Sequence, residues 1–366
     1  KGQFGTETES GLLKQKDVQN GQKEESLQSK ESRMRFRSCI LTWTLILGVQ
    51  AWGEDTANQL PMNYIQAIGT HNSYHVATSP ESQPAGNELS KNFGWDYTHP
   101  PLDVQLDNGV RGLELDVYAN PGETLVMHVP IYDPGTTCRT FVDGLKVVKG
   151  WSDKHPRHVP IVILVELKNE SVPLADVRDF DEAALDQLDT EIRSVFPPER
   201  LVTPDDVRGD MPTLSQAIEQ KGWPKLAWAR GRVMLVLHTR GKPAELYTKN
   251  RPSLEGRAMM MESQEGAPFA GVFILNNPRN PRIPELVKRG YYVRTTGDGG
   301  RDAKGEAAVE YVTMALSSGA QLVTTDYPEG ETDAKTGYIV RLPEGTPVRC
   351  NPLLAPDKVP AAEMER

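Results

Sequence analysis

The chain has 366 residues, a formal net charge of -9, and 38% hydrophobic and 25% charged residues. That is enough apolar material for one large core, while the acidic balance excludes nucleic acid as a partner and strong electrostatic docking on an anionic membrane. Residues 1–33 are polar with almost no apolar side chains, and are expected to be a disordered or untranslated leader. Residues 34–53 read as a signal peptide. Met34-Arg35-Phe36-Arg37 is basic, the apolar run Cys39 to Val49 is too short to span a bilayer, and Ala51-Trp52-Gly53 offers small residues for cleavage. The expected mature protein, residues 54–366, is therefore secreted or periplasmic, has no transmembrane segment, and is more acidic still. Two cysteines remain in it, Cys138 and Cys350, which form either a disulfide tying the tail to the body or two buried thiols.

Apolar runs recur along this body at Tyr64–Thr70, Gly112–Tyr118, Thr124–Val129, Pro160–Lys168, Arg232–His238, Gly271–Leu275, Tyr291–Thr295 and Ala320–Thr325. Helical spacing lies between several of them, as in Phe180 to Val195 and Glu306 to Leu316. Continuous apolar runs suit parallel strands covered on both faces, so the spacing predicts a single TIM-type (β/α)8 barrel. The proline-rich stretch from Leu342 onward is expected as an extended C-terminal wrap with no element of its own. Met259-Met260-Met261 is too short for a membrane anchor and too near Arg257 and Glu262.

Three of the runs end in residues that an apolar strand does not need. Gly69-Thr70 is followed by His71-Asn72-Ser73-Tyr74, Gly112 to Val117 contains Glu114 and Asp116, and Ile163 to Lys168 contains Glu166 and Lys168. Residues two apart on a strand share a face, so Glu114 pairs with Asp116 and Glu166 with Lys168 on the barrel interior. Buried carboxylates need a cation or a lysine. Glu114, Asp116, Glu166 and the carbonyl oxygen of Asn72 make an all-oxygen donor set for a hard ion, with calcium favoured over magnesium in an exported protein. His71 and Asn72 reach one site only if the strand ends near Thr70 and the chain curls. His71 and His128 then form a pair of imidazoles above the carboxylates, suited to acid–base work on a phosphate ester. His75 reads as a loop residue, and His238 has no role that the sequence assigns.

These motifs resemble the catalytic region of calcium-dependent, phosphatidylinositol-specific phospholipases C, over nearly all of Asn63 to Pro356. The segments Tyr292-Val293-Arg294-Thr295, Ser318 to Tyr327 and Arg349-Cys350-Asn351-Pro352 are similar to the compact single-domain microbial branch of that family. The resemblance implies His71 on the phosphoryl group, His128 as general acid toward the diacylglycerol oxygen, and calcium on Asn72, Glu114, Asp116 and Glu166. It further implies Glu114 or Glu166 as the base for the inositol 2-hydroxyl, with Arg294 and Lys168 as substrate-binding cations. The product would be a cyclic inositol phosphate. The Arg232–His238 strand lacks the lysines that would bind extra ring phosphates, which points to unphosphorylated phosphatidylinositol, met transiently at a membrane surface by a monomer. Two other readings stay open. A glycerophosphodiester phosphodiesterase shares the Glu-x-Asp strand but opens with His-Arg-Gly, and a non-catalytic inositol-lipid-binding barrel needs no turnover.

Overall fold

The computed structural model describes residues 56–78, 94–168, 177–300, 306–355 and 359–365. The expected leader and signal peptide lie outside the described residues. Ten strands form one sheet: β1 (Ile65–Thr70), β2 (Gly112–Asn120), β3 (Glu123–Val126), β4 (Ile161–Leu167), β5 (Val233–His238), β6 (Met260–Met261), β7 (Val272–Ile274), β8 (Tyr292–Thr296), β9 (Leu322–Thr325) and β10 (Val348–Cys350). Their order is β6-β5-β4-β2-β1-β9-β8-β7, all parallel. A parallel bridge between Glu262 and Val272 joins the two ends, so eight parallel strands close into a TIM-type barrel.

Side-chain parity follows from this closure. On β4, Ile161, Ile163, Val165 and Leu167 pack outward on Leu145 and Val148 of helix Phe141–Lys154 and on Leu185 and Leu188 of helix Glu182–Val195. Val162 and Leu164 instead join Met234, Val236, Met260, Tyr292 and Leu322 from other strands, which fill the barrel interior. Gly112 faces that interior, where a Cβ would run into the Leu322 side chain and crowd Gly69. The bare backbone on β1 and β2 is what lets Leu322 occupy the barrel floor.

Three expectations change. The run Thr124–Val129 supplies no barrel strand: β3 folds back antiparallel on β2, with Val117 opposite Val126. The eighth barrel strand is Met260–Met261, from a run not counted among the expected strands. The proline-rich tail is no mere wrap, because β10 pairs antiparallel with β1 (Ile65 opposite Cys350) and helix Ala361–Met364 buries Met364. Cys138 and Cys350 are both buried and no bond joins them, so the disulfide alternative fails. They lie in separate apolar clusters, Cys138 with Leu115 and Phe141, Cys350 with Val359 and Met364.

Candidate active site

The chain curls where the polar run after Gly69 requires it. β1 ends at Thr70, and Asn72 takes a left-handed φ of 46°, a conformation asparagine tolerates better than most residues. The turn is locked on neighbouring elements. Ser73 N donates to the Glu114 carbonyl (2.9 Å), Glu114 N donates to Ser73 Oγ (2.8 Å), and Gln105 Nε2 donates to the Ser73 carbonyl (2.6 Å). His71 and Asn72 can therefore both serve the mouth of the barrel although they are adjacent in sequence. Asn72 is buried and its amide donates to Tyr97 Oη (3.2 Å), which leaves its carbonyl oxygen as the group available to a cation.

Carboxylates line the same end of the interior. Asp116 is level with Glu166 across β2 and β4, and Glu166 with His238 across β4 and β5. Ligating atoms of Glu114, Glu166 and His238 all lie within 4.8 Å of one another. Lys168 Nζ reaches Glu166 Oε1 (2.7 Å) and Asp116 Oδ2 (2.9 Å), and Arg294 Nη2 donates to Glu114 Oε2 (2.9 Å). Arg294 is buried and also holds Asn276. Neither oxygen of Asp116, which has no exposed surface, accepts a hydrogen bond of sound geometry despite the nearby lysine.

The electrostatics express that crowding. Burial, with Glu166 and Glu114 adding to it against the pull of Lys168, lifts Asp116 to about 6. Burial also disfavours charge on Glu166, but its contacts with His238 and Lys168 prevail and hold it below the ordinary carboxylate range. A buried aspartate whose Oδ1 is orphaned and whose Oδ2 has only the Lys168 ammonium, level with Glu166 and on one strand with Glu114, fits a hard divalent cation, whose charge would reverse the lift on Asp116. Asn72, Glu114, Asp116 and Glu166 are the residues that would hold it.

Two histidine–aspartate pairs flank this floor. His71 Nδ1 lies 2.9 Å from Asp326 Oδ1, and its Nε2 is 4.0 Å from Glu114 Oε1, with 40% of the side chain open to solvent. Partial desolvation of its ring opposes protonation, yet Asp326 and Glu114 outweigh that and raise its pKa. His128 comes from the arm after β3 rather than from a barrel strand end. Its Nδ1 is 2.7 Å from Asp133 Oδ2, and the same oxygen is 2.8 Å from His75 Nε2. His75 Nδ1 faces the Tyr97 carbonyl (2.9 Å), and Tyr97 Oη is 3.5 Å from His71 Nδ1, so a chain of contacts links the two imidazoles. Burial works against ionisation of Asp133, but the two histidines and Thr78 lower its pKa well below the usual range.

Sequence reasoning missed Asp133, Asp326, Tyr97 and Glu262, and read His75 as an ordinary loop residue. Asp133 carried a usable signal: it is the only carboxylate in the short loop that follows His128. His238, left without a role, stands between Glu166 (Nδ1 to Oε2, 3.3 Å) and Glu262 (Nε2 to Oε2, 3.5 Å).

The model of a family described as "Phosphoinositide phospholipase C, Ca2+-dependent" matches residues 60–125 and 120–352. No curated protein sequence matches the chain. Among solved structures, a calcium-dependent phosphoinositol-specific phospholipase C from a Gram-negative Pseudomonas species is 18% identical, with a TM-score of 0.55 over 81% of this chain and 96% of that one. A Ca2+-dependent phosphatidylinositol-specific phospholipase C from Streptomyces antibioticus is 18% identical, with a TM-score of 0.54 over 73% of this chain and 94% of that one. At such identities the structural likeness establishes the barrel fold, and the sequence family is carried by the family match.

Proposed function

This chain belongs to the calcium-dependent phosphoinositide phospholipase C family, and on that premise we propose that it cleaves phosphatidylinositol into diacylglycerol and a cyclic inositol phosphate. The observation that carries the reading is the row of Glu114, Asp116 and Glu166, with Asp116 buried and its Oδ1 orphaned, set between the His71–Asp326 and His128–Asp133 pairs.

The inositol 2-hydroxyl oxygen attacks phosphorus, its proton passes to Glu114 or Glu166, and the phosphorus–oxygen bond to diacylglycerol breaks. His128 supplies the proton that the departing oxygen needs; Asp133 holds its Nδ1–H and so leaves Nε2 for that transfer. His71, kept cationic by Asp326, faces the phosphoryl oxygens and offsets the charge that builds on them. Arg294 and Lys168 bind phosphate or inositol oxygens beside the carboxylates they already contact. Asn72, Glu114, Asp116 and Glu166 would hold calcium, whose positive charge would favour ionisation of the attacking hydroxyl and offset phosphate charge.

A lipid surface is the natural setting. The loop after His128 is closed by paired hydrogen bonds between Val129 and Asp133, and it exposes Ile131 (41%) and Tyr132 (45%) beside the site. Ile131 is held at φ 72°, a strained conformation for a β-branched side chain, which fixes its outward aim. Among the described residues no helix is long and apolar enough to cross a membrane. Contact is therefore taken as transient and interfacial, by a monomer that residues 34–53 would deliver outside the cytoplasm. Phosphorus NMR of the products from phosphatidylinositol and from glycerophosphoinositol, each with calcium and with excess chelator, tests the reading. A cyclic phosphate released from the lipid only with calcium supports it. Preference for the deacylated diester, or equal turnover in chelator, refutes it.

A further inference from the structure

Beside the barrel mouth, where the arm after β3 meets the turn after β1, one carboxylate oxygen faces two ring nitrogens. Asp133 Oδ2 is 2.8 Å from His75 Nε2 and 2.7 Å from His128 Nδ1, and ligating atoms of the three residues all lie within 4.8 Å of one another. The side chains of His75 and Asp133 have no exposed surface, while that of His128 keeps 14%. The other ring nitrogen of His75, Nδ1, lies 2.9 Å from the Tyr97 carbonyl, which can only accept. Both nitrogens of a buried ring therefore face acceptors, and a neutral imidazole has one N–H to give them. The second contact needs a positive charge between nitrogen and oxygen, which a proton or a metal ion supplies.

The surroundings decide which ion suits the place. With Nδ1–H held by the Tyr97 carbonyl, the His75 Nε2 lone pair is directed at Asp133, and a backbone carbonyl on the far nitrogen is how ligating histidines are ordinarily oriented. The His75 and His128 rings stand nearly perpendicular, at 89° with centroids 5.8 Å apart, so their nitrogens approach the one oxygen from different directions. Asp133 is fixed in turn: its Oδ1 accepts from Thr78 Oγ1 (2.9 Å), and its N–H donates to the Val129 carbonyl (2.8 Å). Two imidazole nitrogens and one carboxylate make a zinc-type donor set with a fourth position left for water. Calcium prefers oxygen donors throughout, which the carboxylate row supplies and this cluster does not.

We propose that His75, Asp133 and His128 form a second metal site, for zinc or a chemically similar divalent ion, and that its occupation silences the general acid. To ligate, His75 Nε2 and His128 Nδ1 release to solvent the protons they direct at Asp133. The nitrogen–oxygen gaps then widen to about 3.3 Å, the spacing of tetrahedral ligands around one zinc ion. His128 keeps only its Nε2 proton, and passing that to the departing oxygen would leave an imidazolate, so a lipid that needs the proton is no longer cleaved. The silencing rests on the phospholipase reading, whereas the binding does not.

The test titrates the full chain, in saturating calcium, with zinc by calorimetry and with cobalt by visible absorption, for the wild type, His75→Gln and Asp133→Asn. The wild type is expected to bind one zinc ion that calcium does not displace, and one cobalt ion with the intense absorption of tetrahedral coordination. His75→Gln removes a ligand and should weaken zinc binding at least about 100-fold. Asp133→Asn should weaken it likewise, and decides the matter alone if the His75 variant does not fold. In the wild type, zinc should lower kcat on phosphatidylinositol at least about 100-fold and spare an aryl inositol phosphate, whose leaving phenol needs no proton. A wild type that binds no zinc, an affinity unchanged in the folded variants, or zinc that calcium displaces overturns the site. Lipid turnover undiminished with zinc bound overturns the silencing. A chain inactive on phosphatidylinositol with calcium overturns the phospholipase reading and the silencing with it, while calorimetry and the cobalt spectrum still decide the site.

Discussion

Replacing Asp133 by asparagine should slow turnover without unfolding the barrel, and the size of the effect follows from what the substitution changes. Asp133 Oδ2 serves both His128 Nδ1 (2.7 Å) and His75 Nε2 (2.8 Å), and Oδ1 accepts from Thr78 Oγ1 (2.9 Å). An amide of the same shape keeps an oxygen toward the two rings and turns its nitrogen toward the Thr78 hydroxyl, which can accept. Geometry is thus retained and charge is lost. A hydrogen bond to an ionised group contributes about 1.5–3 kcal/mol against about 1 kcal/mol for a neutral pair, so the His128 imidazolium loses about 1–2 kcal/mol. That corresponds to about 5–30-fold in kcat for a lipid whose leaving oxygen needs the proton, with KM little changed. The assay measures kcat on phosphatidylinositol and on an aryl inositol phosphate whose leaving phenol departs without protonation. The variant should be impaired on the lipid and close to wild type on the aryl ester. Equal losses on both substrates would refute the acid role of His128 and the positioning role of Asp133.

Glu166→Gln should raise the calcium concentration needed for half-maximal activity more than tenfold, because it removes one ionised donor; an unchanged requirement would exclude Glu166 from the cation site. Calcium at about 100 times its Kd should stabilise the wild type by about 2.7 kcal/mol in thermal unfolding, and no shift would mean that no native site exists. His158, buried by the barrel floor, hydrogen-bonds Ser152 Oγ and the Val159 carbonyl as a neutral ring, and burial lowers its pKa to about 4. Between the ordinary histidine value of about 6.5 and that value only the unfolded chain takes up the proton, so stability should fall by up to about 3 kcal/mol as pH drops through this window. Urea midpoints for the wild type and His158→Gln at pH 7 and 4 check the sign, and parallel losses in both would contradict it. Reductant should leave the unfolding midpoint unchanged, since no bond joins Cys138 to Cys350, with burial pushing the Cys138 thiol up to about 12; a lowered midpoint would restore the disulfide.

What the sequence makes legible here is whatever a strand repeats or interrupts. β4 and β5 are continuous apolar runs, and the carboxylates and lysine that break them stand out because burial otherwise forbids them. The curl after Thr70 was readable because His71 and Asn72 could not share a face of a regular strand. The residues that complete the site have no such period. Asp133 and His75 are 58 positions apart in irregular segments and meet only because two loops fold together. Met260–Met261 is too short for a strand pattern, and nothing in the sequence singles out Glu262 after it until β6 places it beside His238. The misassigned β3 has strand composition without barrel geometry, since propensity does not distinguish parallel from antiparallel pairing. A cysteine count carries no distance, so Cys138 and Cys350 could only be assigned to their separate clusters once the fold was known.

The central claim is spatial: one hard cation held by oxygens from three strands, between two histidine–aspartate pairs. Diffraction from crystals of the protein grown with calcium, recorded where calcium scatters anomalously, tests it directly. The expected result is a single strong peak about 2.3–2.6 Å from oxygens of Asn72, Glu114, Asp116 and Glu166, with Lys168 displaced from Asp116. A peak at His75, His128 and Asp133 instead, or no peak at the carboxylate row at millimolar calcium, would contradict the account.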